Sequence, residues 1–171
     1  MSNLKAREPL ERVRRLFQEK PAAARNKNAA ATAVWTGDGL RCEIAGPADE
    51  KAITDMPTPF GGGNTGPNPG WLFRAGMASC LATTIAMRAA MLGIEIQSLE
   101  VKADSEGDTS RFFGISDASL AMSGLRMSIK IGAEGVGESE LRDLVAWCEA
   151  RSTVACTVRE HPALAVDVTV V

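Results

Sequence analysis

The chain has 171 residues, enough for one domain with a sizeable core. At 45% hydrophobic and 23% charged residues it reads as globular rather than disordered, and a net charge of −2 excludes a whole-protein field that would recruit nucleic acid. No apolar run follows the first basic residues, so a secretory signal is not expected and the chain is read as cytoplasmic, where thiols stay reduced.

Residues 1–30 are read as a basic helix and linker ahead of a main domain at 31–171. Eight basic residues stand in the first 27, against Glu8, Glu11 and Glu19. Leu10, Val13, Leu16 and Phe17 recur at helical spacing, which predicts a short amphipathic helix from Pro9 to about Glu19, ended by Pro21. Its apolar stripe is expected to pack on protein, its own domain or a partner subunit, rather than on a membrane. Thr32–Trp35 and Leu40–Ile44 then flank Thr36-Gly37-Asp38-Gly39, a hairpin signal in which Asp-Gly supplies positive φ. A third strand is placed near Ala52–Thr54.

Gly61, Gly63 and Gly66 spell G-x-G-x-x-G, a pattern found where a strand feeds a dinucleotide-binding helix. Pro57 and Pro59 deny it the strand, and Pro67 and Pro69 delay the helix beyond the motif. The match is accidental. Asn68 is instead an N-cap and Pro69 the first residue of a helix running to about Leu92, with Arg74 and Arg88 its only charges. Those charges argue against a membrane span, and a nearly uncharged helix belongs at the centre of a fold, covered on most sides.

Alternation predicts three later strands. Leu99, Val101 and Ala103 share one face, as do Met127, Ile129 and Ile131, and finally Leu164, Val166, Val168 and Val170. The Gly/Ser/Asp-rich residues 104–124 connect the first two. A second helix is expected over about 139–159, with Leu141, Leu144, Val145 and Cys148 as its apolar stripe. The layout is α+β, with antiparallel sheets half covered by helices.

Chemistry rests on four cysteines, Cys42, Cys80, Cys148 and Cys156, and on the single histidine, His161. No C-x-x-C occurs, so neither a metal centre nor a neighbouring dithiol is expected. His161, just before Pro162, reads as a helix C-cap. Cys80 lies mid-helix, about 18 Å from Asn68, too far for that helix's own dipole to lower its pKa. A cation from elsewhere is needed, Arg41 or Arg159 being the better candidates. Cys148 and Cys156 are about 12 Å apart on a continuous helix, too far for a disulfide unless Ser152-Thr153-Val154 breaks it. The residues alone leave the pairing open.

The run TGPNPGWLFRAGMASCLATTIAMRA, with Cys156-Thr157-Val158-Arg159 before a last alternating segment, resembles the OsmC/Ohr family of thiol-dependent peroxidases that reduce organic hydroperoxides. The resemblance implies an OsmC-like α+β fold, antiparallel sheets around two central helices, and an intertwined homodimer with two sites at the subunit interface. It implies Cys80 as the attacking thiol, Cys156 as the resolving thiol, Arg41 as the nearest match for the supporting arginine, and a dithiol reductant. No metal, organic cofactor, nucleic acid or membrane is implied. Where the family pattern has a glutamate ten residues before the first cysteine, this chain has Gly70, followed by Trp71. That departure keeps two other readings in play: a dimeric small-ligand binding module without peroxidase activity, or other thiol chemistry.

Overall fold

The computed structural model describes residues 2–171. Two compact units make up the chain, one of the residues up to Glu8 with Met77–Val171, the other of Pro9–Gly76.

Helix α1 (Arg7–Glu19) forms where the spacing predicts it, with Pro9 in its first turn. No residue of α1 is buried, and Val13, Leu16 and Phe17 of its apolar stripe are exposed. Strands β1 (Thr32–Trp35), β2 (Cys42–Ala45) and β3 (Lys51–Thr54) come next, in an antiparallel sheet of order β1-β2-β3. Trp35 pairs with Cys42, and Cys42 with Thr54. The β1–β2 connection takes the left-handed conformation at Gly37 and Gly39, as its turn chemistry requires.

The glycine-rich loop is organised by Asp55, which is 2% exposed. Its carboxylate accepts from the Thr65 N–H at 3.0 Å, the Thr65 hydroxyl at 2.9 Å and the Met56 N–H at 2.8 Å. The Thr65 N–H foremost, against the opposing effect of burial, holds the carboxyl below its usual range. A side chain at Gly62 would strike the Met56 carbonyl at 1.9 Å, so glycine is dictated by close backbone approach. Gly66 is held in the same way, since a side chain there would press on the Ile53 carbonyl.

Helix α2 (Pro69–Leu92) starts as expected, with the Asn68 carboxamide oxygen accepting from the Trp71 N–H at 2.8 Å. It ends at Gly93, whose φ of +79° lets the Ile94 N–H turn back to the Ala89 carbonyl at 2.9 Å. By length and composition α2 could cross a membrane. Its buried residues Met77, Leu81, Ile85 and Ala89 recur every fourth position and form one core-facing stripe. Coverage on most sides, expected from the lack of charge, does not hold within one chain: Met87 and Leu92 are exposed. One stripe is all that a two-stranded sheet and two short helices can cover.

Strands β4 (Ser98–Glu106) and β5 (Ser123–Gly132) form an antiparallel pair. Leu99 lies opposite Ile131, Val101 opposite Ile129 and Ala103 opposite Met127, so the predicted apolar faces coincide. Against that face and α2 packs α3 (Glu138–Glu149), with Leu144 and Cys148 buried and Leu141 and Val145 half-buried beside them. The single helix expected over 139–159 is two. Helix α3 stops before Ala150, and α4 (Thr153–Glu160) begins after a Ser152 whose backbone is extended. His161, in the left-handed conformation, caps α4 at its carboxyl end.

Residues 164–170 form no strand in the single chain, contrary to expectation. Their alternating Leu164, Val166, Val168 and Val170 are 75 to 91% exposed, because no edge receives them. At the other terminus Asn3 was given no role by its sequence context. Its side chain accepts from the Ile96 N–H at 3.0 Å and donates to the Ile94 carbonyl at 2.9 Å, tying the first residues to the α2–β4 connection.

Leu144, 4% exposed, joins α3 to the α2 stripe. Leu144→Ala is expected to lower the unfolding free energy by about 3 kcal/mol, read by urea denaturation. A loss below about 1 kcal/mol would mean that this core does not hold the unit together.

Candidate active site around Cys80

Every helix begins with N–H groups that no earlier turn accepts. Helix α4 begins at Thr153 with Ser152 as its N-cap, yet the Ser152 side chain makes no capping bond. The Ser152 hydroxyl donates instead to the Sγ of Cys80 at 3.3 Å. The N–H groups of Val154 and Thr153 donate to the same sulfur. Cys80 thus stands, from α2, in the place of a capping acceptor for α4.

The sulfur is half-buried, Ser152 fully so. Burial pushes the Cys80 thiol up, but the hydrogen bonds from Ser152, Val154 and Thr153 outweigh it and hold the thiol below its ordinary value. One turn along α2, the Thr84 hydroxyl donates to the Cys80 carbonyl at 2.8 Å and holds the local backbone. A thiolate formed here meets hydroxyl and amide donors that need no reorganisation.

The other thiols have different surroundings. Cys148 is fully buried, its Sγ 3.6 Å from the Thr84 carbonyl. Burial pushes its pKa up to about 11, against the weaker opposing pull of Arg88 and Arg151. Those two guanidinium groups lie 4.3 and 4.4 Å from the centroid of the Trp147 ring, which is how Arg88 is accommodated on a helix whose one other charge is Arg74. Cys156 sits one turn inside α4, its Sγ 3.4 Å from the Ala150 carbonyl and 3.6 Å from an Arg159 nitrogen. Arg159 is itself anchored to the carboxylate and the carbonyl of Glu149. The structure therefore brings Cys80 to Ser152 and Cys156 to Arg159. In the other unit the guanidinium of Arg41 meets Glu43 at 3.2 Å and the Thr65 hydroxyl at 3.4 Å, and Cys42 lies on β2. Among the described residues no three His, Cys, Asp or Glu side chains gather as a metal site.

A cleft of about 260 Å³ opens beside α4. Met77, three residues before Cys80, lines it with Met127, Ile129, Ala155 and Val158, and Arg159 stands among the polar lining groups. Its wall is mainly apolar, which suits a hydrocarbon group rather than a small polar solute.

Residues 61–167 match the family of OsmC-like proteins. The chain belongs to that family. The α+β architecture of OsmC-like proteins recurs in solved structures of low sequence identity. An OsmC-like protein from Mycoplasma pneumoniae is 18% identical with a TM-score of 0.67, over 79% of this chain and 89% of its own. An organic hydroperoxide resistance protein from Elizabethkingia anophelis, with thiocyanate bound, is 19% identical at a TM-score of 0.59, over 80% and 91%. An organic hydroperoxide resistance protein OsmC from Legionella pneumophila is 18% identical at 0.54, over 79% and 91%. No curated protein matches the chain in sequence.

Within this OsmC-like chain, the residue missed by sequence reasoning is Ser152. The possible break at Ser152-Thr153-Val154 was legible, but the turn of the Ser152 hydroxyl towards another helix was not.

At neutral pH a substoichiometric alkylating agent is expected to label Cys80 well before Cys148. With a pKa near 11, Cys148 is ionised in only about one molecule in ten thousand at pH 7. Peptide mapping reads the order, and equal labelling of the two would refute the assigned environments.

Proposed function

We propose that the protein is a thiol-dependent peroxidase of organic hydroperoxides, with Cys80 as the attacking thiol. The observation that carries this reading is the ring of donors at the amino end of α4, which favours the thiolate of a half-exposed cysteine. The thiolate sulfur attacks the O–O bond of ROOH; an S–O bond forms as the O–O bond breaks. Sulfur is oxidised to the sulfenic acid, and the alkoxide leaves and takes a proton to become ROH. The mainly apolar cleft lined by Met77, one turn before Cys80 on α2, though not by Cys80 itself, supports an organic rather than a small inorganic peroxide. The family, and the names of solved relatives as organic hydroperoxide resistance proteins, support the same chemistry. In this reading a thiol reductant in a reducing compartment closes the cycle, and Cys156 is the resolving candidate that the resemblance supplies.

One observation favours a second reading, an OsmC-like dimer that binds a small ligand or carries out other thiol chemistry. The first turn of α2 holds no acidic residue, Gly70 standing where the family pattern has glutamate. Hydroperoxide turnover separates the two. Cys80→Ser is expected to reduce turnover of cumene hydroperoxide, with dithiothreitol as reductant, to the uncatalysed rate. Equal turnover in wild type and variant would favour the second reading.

We also propose a homodimer, in which the apolar residues 164–170 find the strand partner that they lack in one chain, and the uncovered faces of α1 and α2 gain a partner. Sedimentation at micromolar concentration is expected to give a dimer, and removal of residues 163–171 to weaken it at least tenfold. A monomeric wild type would overturn this.

A further inference from the structure

Resting on the peroxidase reading of Cys80, we propose that Ser152 is the positioning residue of that thiol, and that the oxidised thiol is discharged by an external thiol rather than by a second cysteine of the chain. An N-cap serine ordinarily turns its oxygen back to its own helix. Ser152 gives up that bond and spends its proton on Cys80, at a position sealed from water. Hydrogen bonds to charged groups are the stronger kind, so this one strengthens as the thiol ionises.

The same placement governs the fate of the oxidised sulfur. A disulfide needs the two Cβ atoms within about 3.5–4.5 Å. The group facing Cys80 is a serine hydroxyl, which cannot form an S–S bond. Cys156 lies four residues further on, about 6 Å along the helix axis. Its sulfur is engaged by the Ala150 carbonyl and Arg159, and its N–H bonds the Ser152 carbonyl at 2.8 Å. To pair with Cys80 it would have to give up these contacts of its sulfur. Cys148 is buried and protonated.

A small thiol R′SH meets no such obstacle at half-exposed Cys80. Its sulfur attacks the sulfenic sulfur; an S–S bond forms, the S–O bond breaks and water leaves. A second R′S⁻ then attacks the outer sulfur, giving R′S–SR′ and returning the electron pair to Cys80. The donors that favour the thiolate as nucleophile favour it equally as leaving group. One cradle serves both half-reactions.

Peptide mapping after one equivalent of cumene hydroperoxide tests this. Without added thiol, Cys80 is expected as a sulfenic acid trapped by dimedone, with no link to Cys156. With 2-mercaptoethanol it is expected as the mixed disulfide. A Cys80–Cys156 disulfide in the wild type would overturn the external-thiol proposal while leaving the peroxidase reading intact. Failure of hydroperoxide to oxidise Cys80 would overturn both. The positioning role is read separately from the pH profile of Cys80 alkylation, whose midpoint Ser152→Ala is expected to raise by about one pH unit. An unmoved profile would overturn it. Ser152→Cys retains a group of similar size and is expected to close a disulfide from Cys80 to position 152 on oxidation. A site that does not cross-link would mean that position 152 does not face Cys80.

Discussion

A sulfur atom capping a neighbouring helix, rather than the helix that carries it, is the contact on which the rest of this site depends. Two needs meet there. The amino end of α4 has N–H groups that no earlier turn accepts, and Cys80, too deep in α2 to feel its own helix dipole, has a thiol in need of donors. Each supplies what the other lacks. If α4 were continuous with α3, those N–H groups would be spent on the preceding turn and Cys80 would be an ordinary core cysteine.

The break that creates the cap is held by interactions on both sides of it. Upstream, the Ala150 N–H closes on the Ala146 carbonyl, and Arg151 stacks on Trp147 while its guanidinium donates to the Trp147 carbonyl at 3.2 Å. Downstream, Arg159 reaches back to Glu149 at the end of α3. The core beneath, with Leu81, Ile85, Leu144 and Cys148, fixes α2 against α3 and so sets the height at which Cys80 meets the new helix. Buried Cys148 belongs to this packing, and its raised pKa makes it a hydrophobe rather than a nucleophile.

Much of this was legible in the residues. Asn68-Pro69 marks the start of α2, and alternation in 99–103 and 127–131 gives both strands and their shared face, because caps and periodicity are local rules. Cys80 stood out as the candidate centre through the resemblance of its surroundings to the OsmC/Ohr pattern. Its contacts in the fold were not legible. Asp55 inside a glycine loop and Ser152 beside a helix break act through contacts ten to seventy-two residues distant, and no local propensity encodes where such side chains turn. The strand expected at 164–170 shows the converse: its alternation is real, but a strand is a relation to a neighbour, and in the single chain these residues pair with none.

Asn3 gives the fold an order in time. The residue is synthesised well before its partners, the carbonyl of Ile94 and the N–H of Ile96, which lie 91 and 93 positions later. At translation speeds of about 5–20 residues per second, the bond waits on the order of ten seconds for its other half. The segment around Asn3 is therefore a clasp fastened after the α2–β4 connection has emerged, and a nascent chain halted before that point leaves this segment unsecured.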